Sequence, residues 1–263
     1  MGRDMESVRF IEEDGVGRIT LNTDDKNSFT FEVFQKLDAA LKSAMNSNLG
    51  VLVIGSDREG VFSQGLNLGE LKKEEIRKDL VPFLDYFFGI LQKIYFFPCP
   101  VLAEISGHAI GYGAMIGIAS DFRFGLQNAR IGLPEVKIGI RVPASVAKMF
   151  SNIVGIRETE RHILLGVAYK GSEANEIGLL DEVFDDSAVL KDAVQKFAKK
   201  LSKNSRSATS SCKEAVRYLS KDLREMFEYD KRKTIESIQS VDAVEGIEAM
   251  INGRRPEFNK AIS

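Results

Sequence analysis

The chain is poor in the residues that hold metals or covalent cross-links. Its 263 residues include two cysteines, Cys99 and Cys212, and two histidines. The cysteines match no metal-ligand spacing and are too few for a disulfide framework. That excludes a zinc module and a disulfide-stapled scaffold, and suits a metal-free protein of the cytoplasm. An excess of either charge is also missing: 36 Lys and Arg against 38 Asp and Glu give a net charge of −2, with the signs interspersed. Neither a nucleic acid nor a membrane surface is an expected partner. No apolar run is long enough to span a bilayer, Met1-Gly2-Arg3-Asp4-Met5-Glu6 has no apolar signal core, and Lys260-Ala261-Ile262-Ser263 is not a peroxisomal address. Internal repeats and low-complexity tracts are absent too. What remains is an ordinary globular composition, 44% hydrophobic and 28% charged, on a chain long enough to bury a substantial core.

What is present centres on residues 100–143. A buried-strand pattern, Val101-Leu102-Ala103-Glu104-Ile105, breaks at Ser106-Gly107-His108-Ala109-Ile110-Gly111-Tyr112-Gly113 and passes into an apolar helical run ending at Ala119. A strand that turns through glycines into a helix leaves backbone N–H groups unpaired in a partly positive field, a place suited to a developing negative charge. Downstream, Ile131-Gly132-Leu133-Pro134-Glu135 sets one carboxylate in a short segment bounded by Gly and Pro. An anion pocket with one placed base follows. Read alone, Glu135 could equally be a helix-start or salt-bridging carboxylate, and Gly107, Gly111 and Gly113 could serve packing and turn geometry only.

Around this centre, 8–11 and 16–21 alternate as a hairpin about Asp14-Gly15, and 31–45 carries Phe34, Leu37, Leu41 and Met45 at helical spacing. The run 51–55 is continuously apolar, as in a strand buried on both faces. The glycine-punctuated loop 60–68 after it is a second candidate donor of backbone N–H groups, because open α/β sheets place ligands beyond such strand ends. The charged stretch 71–78 reads as a surface piece and 80–97 as a long apolar helix. Segments 144–153 and 157–168 read as helices. Another helix starts at 171, and a short strand follows near Val183. Beyond 188 the pattern is helical, with Leu190, Val194, Phe197 and Leu201 on one face and Val216, Leu219, Leu223 and Phe227 marking a further helix. A core over 1–190 and a helical region over 191–263 are expected.

In order and spacing, these residues resemble the crotonase, or enoyl-CoA hydratase/isomerase, superfamily. Lys26-Asn27-Ser28-Phe29, Phe62-Ser63-Gln64-Gly65-Leu66-Asn67-Leu68, the glycine-rich turn from Ser106, Ser120-Asp121-Phe122-Arg123, Leu133-Pro134-Glu135-Val136-Lys137-Ile138-Gly139-Ile140, and the closing Glu245-Gly246 and Arg255-Pro256-Glu257-Phe258 are each similar to a family block. The resemblance implies an α/β fold of the ClpP/crotonase type, a spiral of ββα units with a helical C-terminal trimerisation region, assembled as a homotrimer or hexamer. It implies an acyl-CoA substrate whose thioester oxygen sits between the N–H groups of Leu66 and Tyr112, with coenzyme A as part of the substrate and no separate cofactor. By the same motifs, Ser63, Gly65 and Gly111 belong to the acyl-CoA-binding set. Lys26 is either a CoA-phosphate contact or a solvated charge.

Departures from the family pattern decide the reaction. Family hydratases use two glutamates, one for water and one for the neighbouring carbon. This chain matches the second with Glu135 and has Met115 at the first. A thioether moves no protons, so ordinary hydration should be weak, whereas shifting a double bond from the 3,4 to the 2,3 position needs one base. A Δ3,Δ2-enoyl-CoA isomerase is therefore expected. The alternatives are a hydratase, another enolate-forming enzyme such as a decarboxylase or thioester hydrolase, or a non-catalytic CoA-ester binder. Tyr112, where glycine is usual, is expected to narrow the pocket or demand an altered backbone angle. Arg141 reads as a surface or CoA-phosphate contact rather than a partner for a substrate carboxylate, His108 as a turn residue, and Phe83, Phe87 and Phe88 as core or acyl-pocket wall.

Overall fold

The alternating and continuous apolar runs of the first half become strands, and the computed structural model describes them within residues 7–258. The expectations for Met1–Glu6 and Lys260–Ser263 lie outside these described residues. The strands are β1 (Val8–Glu13), β2 (Val16–Leu21), β3 (Val51–Ser56), β4 (Gly60–Ser63), β5 (Val101–Ile105), β6 (Gly107–Ile110), β7 (Phe122–Leu126), β8 (Arg130–Gly132), β9 (Ala168–Lys170) and β10 (Glu182–Phe184). The first sheet runs β1-β2-β3-β5-β7-β10 and is parallel except for the β1–β2 hairpin. Every residue of β3 and β5 is buried, as expected for central strands covered on both faces. The second sheet runs β4-β6-β8-β9, with only β8–β9 antiparallel. Its strands are three or four residues long, too short for a period-2 pattern to register, and 60–68 accordingly reads as loop in the sequence.

The helices are α1 (Phe31–Asn46), α2 (Glu74–Lys78), α3 (Val81–Tyr95), α4 (Tyr112–Ala119), α5 (Ala144–Val154), α6 (Ile156–Leu165), α7 (Gly171–Glu176), α8 (Ser187–Leu201), α9 (Arg206–Tyr218), α10 (Leu223–Ile238) and α11 (Val241–Ile251). Thr30 caps α1 by accepting the Val33 N–H. Phe34, Leu37 and Leu41 of α1 enter the core, but Met45 is exposed and Ala44 takes its place inside. The stretch 71–78 is more than surface, since it holds α2 and buries Leu71 and Ile76. The helix expected over 157–168 stops at Leu165, where Gly166 turns left-handed at φ 57°, and its last residue, Ala168, opens β9 instead. Val216 and Leu219 do not share a helix with Leu223 and Phe227. The N–H groups of Leu219, Ser220 and Lys221 bond carbonyls three residues back, tightening the chain between α9 and α10 while Ser220 accepts a hydrogen bond from Asn152 of α5. Leu223 and Phe227 are then buried, and Val216 and Leu219 stay outside.

The expected division near residue 190 falls inside α8. Leu190, Val194 and Ala198 of that helix pack on Val51, Val53, Leu102 and Phe124 of the first sheet. A larger core between the sheets and α1, α3, α4 and α5 also takes in Leu223 and Phe227 of α10.

Candidate active site

The parallel strands β4 and β6 end side by side, Ser63 opposite Ala109, and both continue into the glycine turns singled out in the sequence. Gly65 turns left-handed at φ 88°, and a Cβ there would lie 2.7 Å from the Ile110 carbonyl oxygen and 3.1 Å from the Tyr112 nitrogen. Only glycine allows this approach. A parallel bridge clamps the neighbours of Leu66: the Phe29 N–H donates to the Gly65 oxygen at 2.9 Å and the Asn67 N–H to the Phe29 oxygen at 3.0 Å. Across from it, Gly111 takes φ 55° and starts α4, so Tyr112 is the first residue of a fully buried helix. Among the described residues, neither the Leu66 nor the Tyr112 N–H has a protein acceptor. Two free donors thus face one space, one of them at a positive helix end.

Glu135 opens a short 3₁₀ turn, Glu135–Ile138, that ends at left-handed Gly139. Its Oε1 lies 3.3 Å from the position a Cβ on Gly111 would occupy, which sets the carboxyl against the same turn. The Oε2 atom is enclosed and has no hydrogen-bond partner among the described residues. Burial pushes the carboxyl up to about 7, because the charged form loses hydration and no cation repays it. Two residues upstream, the Leu133 N–H donates to Nε2 of buried His162, 3.3 Å away. Burial holds that imidazole down at about 4, hence neutral and able to accept.

A cavity of about 790 Å³ joins these groups and is lined by Lys26, Leu66, Gly111, Tyr112, Met115 and Glu135 together. Phe83, Leu84 and Phe87 of α3 form an apolar wall. Ser63 and Gly65, expected in the acyl-CoA-binding set, are not among the lining residues. Ser63 is fully buried behind the loop, where its hydroxyl donates to the Asn27 oxygen at 2.7 Å and accepts the Gly65 N–H at 3.0 Å. Tyr112 requires no altered backbone angle, since Gly111 takes the positive φ. Its ring packs against Phe29, Phe34 and Phe87 with centroids 4.5–4.9 Å apart, and its hydroxyl donates to the Phe87 oxygen at 2.8 Å. His108, expected as a turn residue, accepts the Arg130 N–H on Nδ1 at 3.0 Å and does not line the cavity. Neither cysteine lines the cavity, and burial pushes the Cys99 thiol up to about 12. No cluster of metal-ligating side chains occurs among the described residues.

Sequence reasoning missed the groups that close the far side. Thr234 and Ile238 of α10 and Met250 and Ile251 of α11 line the cavity, although the helical periodicity marked that region only as packing. Arg141 is not a plain surface residue. It is among the cavity-lining residues, and its guanidinium pairs at 3.2 Å with Asp230 of α10, a carboxylate with no solvent exposure. Nothing local signals that partner, 89 positions away along the chain (230 − 141).

The geometry is that of a pocket able to hold an enolate oxygen while one carboxyl moves a proton. A family model for enoyl-CoA hydratase/isomerase matches residues 11–261. The chain is 25% identical over 257 residues to a probable enoyl-CoA hydratase of Bacillus subtilis, covering 97% of this chain and 99% of that protein. It is 26% identical over 233 residues to the 2,3-dehydroadipyl-CoA hydratase of Escherichia coli, covering 88% of each. The crystal structure of an enoyl-CoA hydratase from Bacillus halodurans superposes with a TM-score of 0.86 at 22% identity, over 93% of this chain and all of that one. The fold is thus that of the crotonases, and the chain belongs to the enoyl-CoA hydratase/isomerase family.

Proposed function

We propose that the protein shifts the double bond of a 3-enoyl-CoA to the 2,3 position, with Glu135 as the single base. The observation that carries the reading is one carboxyl whose Oε2 is enclosed and unpartnered among the described residues, beside two free N–H groups, with Met115 where a second acid would be needed for hydration. In this reading the thioester oxygen lies between the Leu66 and Tyr112 N–H groups. Ionised Glu135 takes a proton from C2, the electron pair runs onto the thioester oxygen as a dienolate, and the carboxyl returns the proton at C4. The double bond then lies between C2 and C3. Each donor aimed at such an oxygen is worth about 10²–10³ in rate, and a carboxyl near pKa 7 can both take and return a proton at neutral pH. Exposed Lys26 at the cavity rim supplies a point charge for the CoA phosphates. No cofactor beyond the CoA of the substrate enters this scheme. The assembly we propose is a homotrimer or a pair of trimers.

Hydration is the second reading, favoured by the names of the relatives. Purified protein would be given 3-enoyl-CoA and, separately, 2-enoyl-CoA, with conjugated thioester and 3-hydroxyacyl-CoA followed as products. Conjugated product from the 3-enoyl ester that disappears in Glu135→Gln is the expected result. 3-Hydroxyacyl-CoA as the main product would refute the single-base scheme.

A further inference from the structure

Two more polar groups of the same cavity lack partners. Among the described residues, Arg141 Nη1 is enclosed and donates to no oxygen, and Thr234, 5% exposed on α10, has an enclosed and unpartnered Oγ1. Both residues line the cavity that holds Glu135. An Arg edge and a hydroxyl left unsatisfied at one wall are costly unless a ligand meets them. The Arg141 charge is only partly answered within the protein. Asp230, its one ion-pair partner among the described residues, also accepts the Ala144 and Ser145 N–H groups at 2.8 and 2.7 Å, at the N-terminus of α5. The carboxylate is shared between a helix end and the guanidinium, so the cation keeps part of its charge for another anion. Glu236, nearby on α10, is engaged by Lys233 at 2.6 Å.

We infer that the cavity is built for an acyl-CoA whose acyl chain carries a carboxylate, received by Arg141 and Thr234. This rests on the acyl-CoA reading above and adds the substrate class. An alkyl chain would leave both polar groups stranded. A carboxylate oxygen accepts from the free guanidinium edge while Asp230 holds the other edge, and its second oxygen accepts from the Thr234 hydroxyl. The Arg141 side chain is 30% exposed and, like Thr234, belongs to the cavity lining.

The test uses saturated thioesters, which bind without reacting. Each of a series of four to eight acyl carbons is paired with its ω-carboxy counterpart, and dissociation constants are measured by calorimetry on the intact protein. One length is expected to bind tighter as the carboxylate by about 10- to 100-fold, the range for a charge-assisted hydrogen bond. Arg141→Met should cut that preference to under threefold, and Thr234→Val, which leaves the Asp230 pair intact, should reduce it severalfold. Both esters of a pair carry the same CoA, so a guanidinium that met only a phosphate would give no preference. Equal binding of the pairs at every length would overturn the carboxylate inference while the acyl-CoA reading stood. Failure of every thioester to bind would remove both.

Discussion

Glu135→Gln tests the electrostatics of the site without any assumption about substrate. In the folded protein the Glu135 carboxyl stands at about 7 against an ordinary value of 4.5. A tenfold change in proton affinity is worth about 1.4 kcal/mol, so the gap corresponds to about 3 kcal/mol. Below pH 4.5 both the folded and unfolded chains hold the proton and no penalty exists. Between there and pH 7 the unfolded chain has lost its proton and the folded chain has not, so stability falls as pH rises; above 7 the whole penalty is present. Glutamine has nearly the same shape and never ionises. The variant should therefore match the wild type near pH 4.5 and exceed it at pH 8 by about 3 kcal/mol, or about 6–12 °C in melting temperature for a chain of this size. Thermal melts of both proteins across pH 4.5–8 would reveal a difference that grows with pH. A constant difference, or one that shrinks as pH rises, would refute an enclosed and unpaired carboxyl. The same group gives the rate its pH dependence: kcat/KM of the wild type should climb tenfold per pH unit below about 7 and level above it, since the ionised base is the active form.

Two further outcomes follow from the oxyanion turn and the missing acid. Gly65→Ala sets a methyl 3.1 Å from the Tyr112 nitrogen in a left-handed turn, and should lower kcat/KM by about 10²-fold or more as the donors are forced apart, read by steady-state kinetics alongside a drop in melting temperature. Met115→Glu puts a second carboxyl on the lining of the cavity that already holds Glu135. It should produce 3-hydroxyacyl-CoA from 2-enoyl-CoA where the wild type produces little, which product chromatography would detect.

Much of the site was legible because its parts are local. A glycine that must turn left-handed, a strand running into a helix, and a carboxylate in a Gly- and Pro-bounded segment each leave a mark within a few residues, and Leu66, Gly111, Tyr112 and Glu135 do line one cavity. Ser63 lies in the right neighbourhood but behind the loop rather than on the cavity lining, since sequence adjacency to a turn does not say which side of it a hydroxyl faces. The second sheet escaped pattern reading because strands of three or four residues carry almost no period. The continuous helix expected through Leu219 failed for a different reason: an apolar residue at helical spacing need not be buried, and Leu219 is 81% exposed.

By itself, then, the order of motifs determined the family, the donor loops and the pairing of Glu135 with Met115, rather than with a second glutamate, at the two motif positions. The tertiary structure alone decided what that acid experiences. A carboxyl near pKa 7 needs burial without a cation, and burial is a sum over α4, the Gly111 turn and the cavity wall that no single segment contains. The same holds for Arg141, whose character depends on an Asp230 that reaches it only through the packing of α10 on α5. Backbone geometry is written in neighbouring residues; the strength and direction of a charge's interactions depend on everything folded around it.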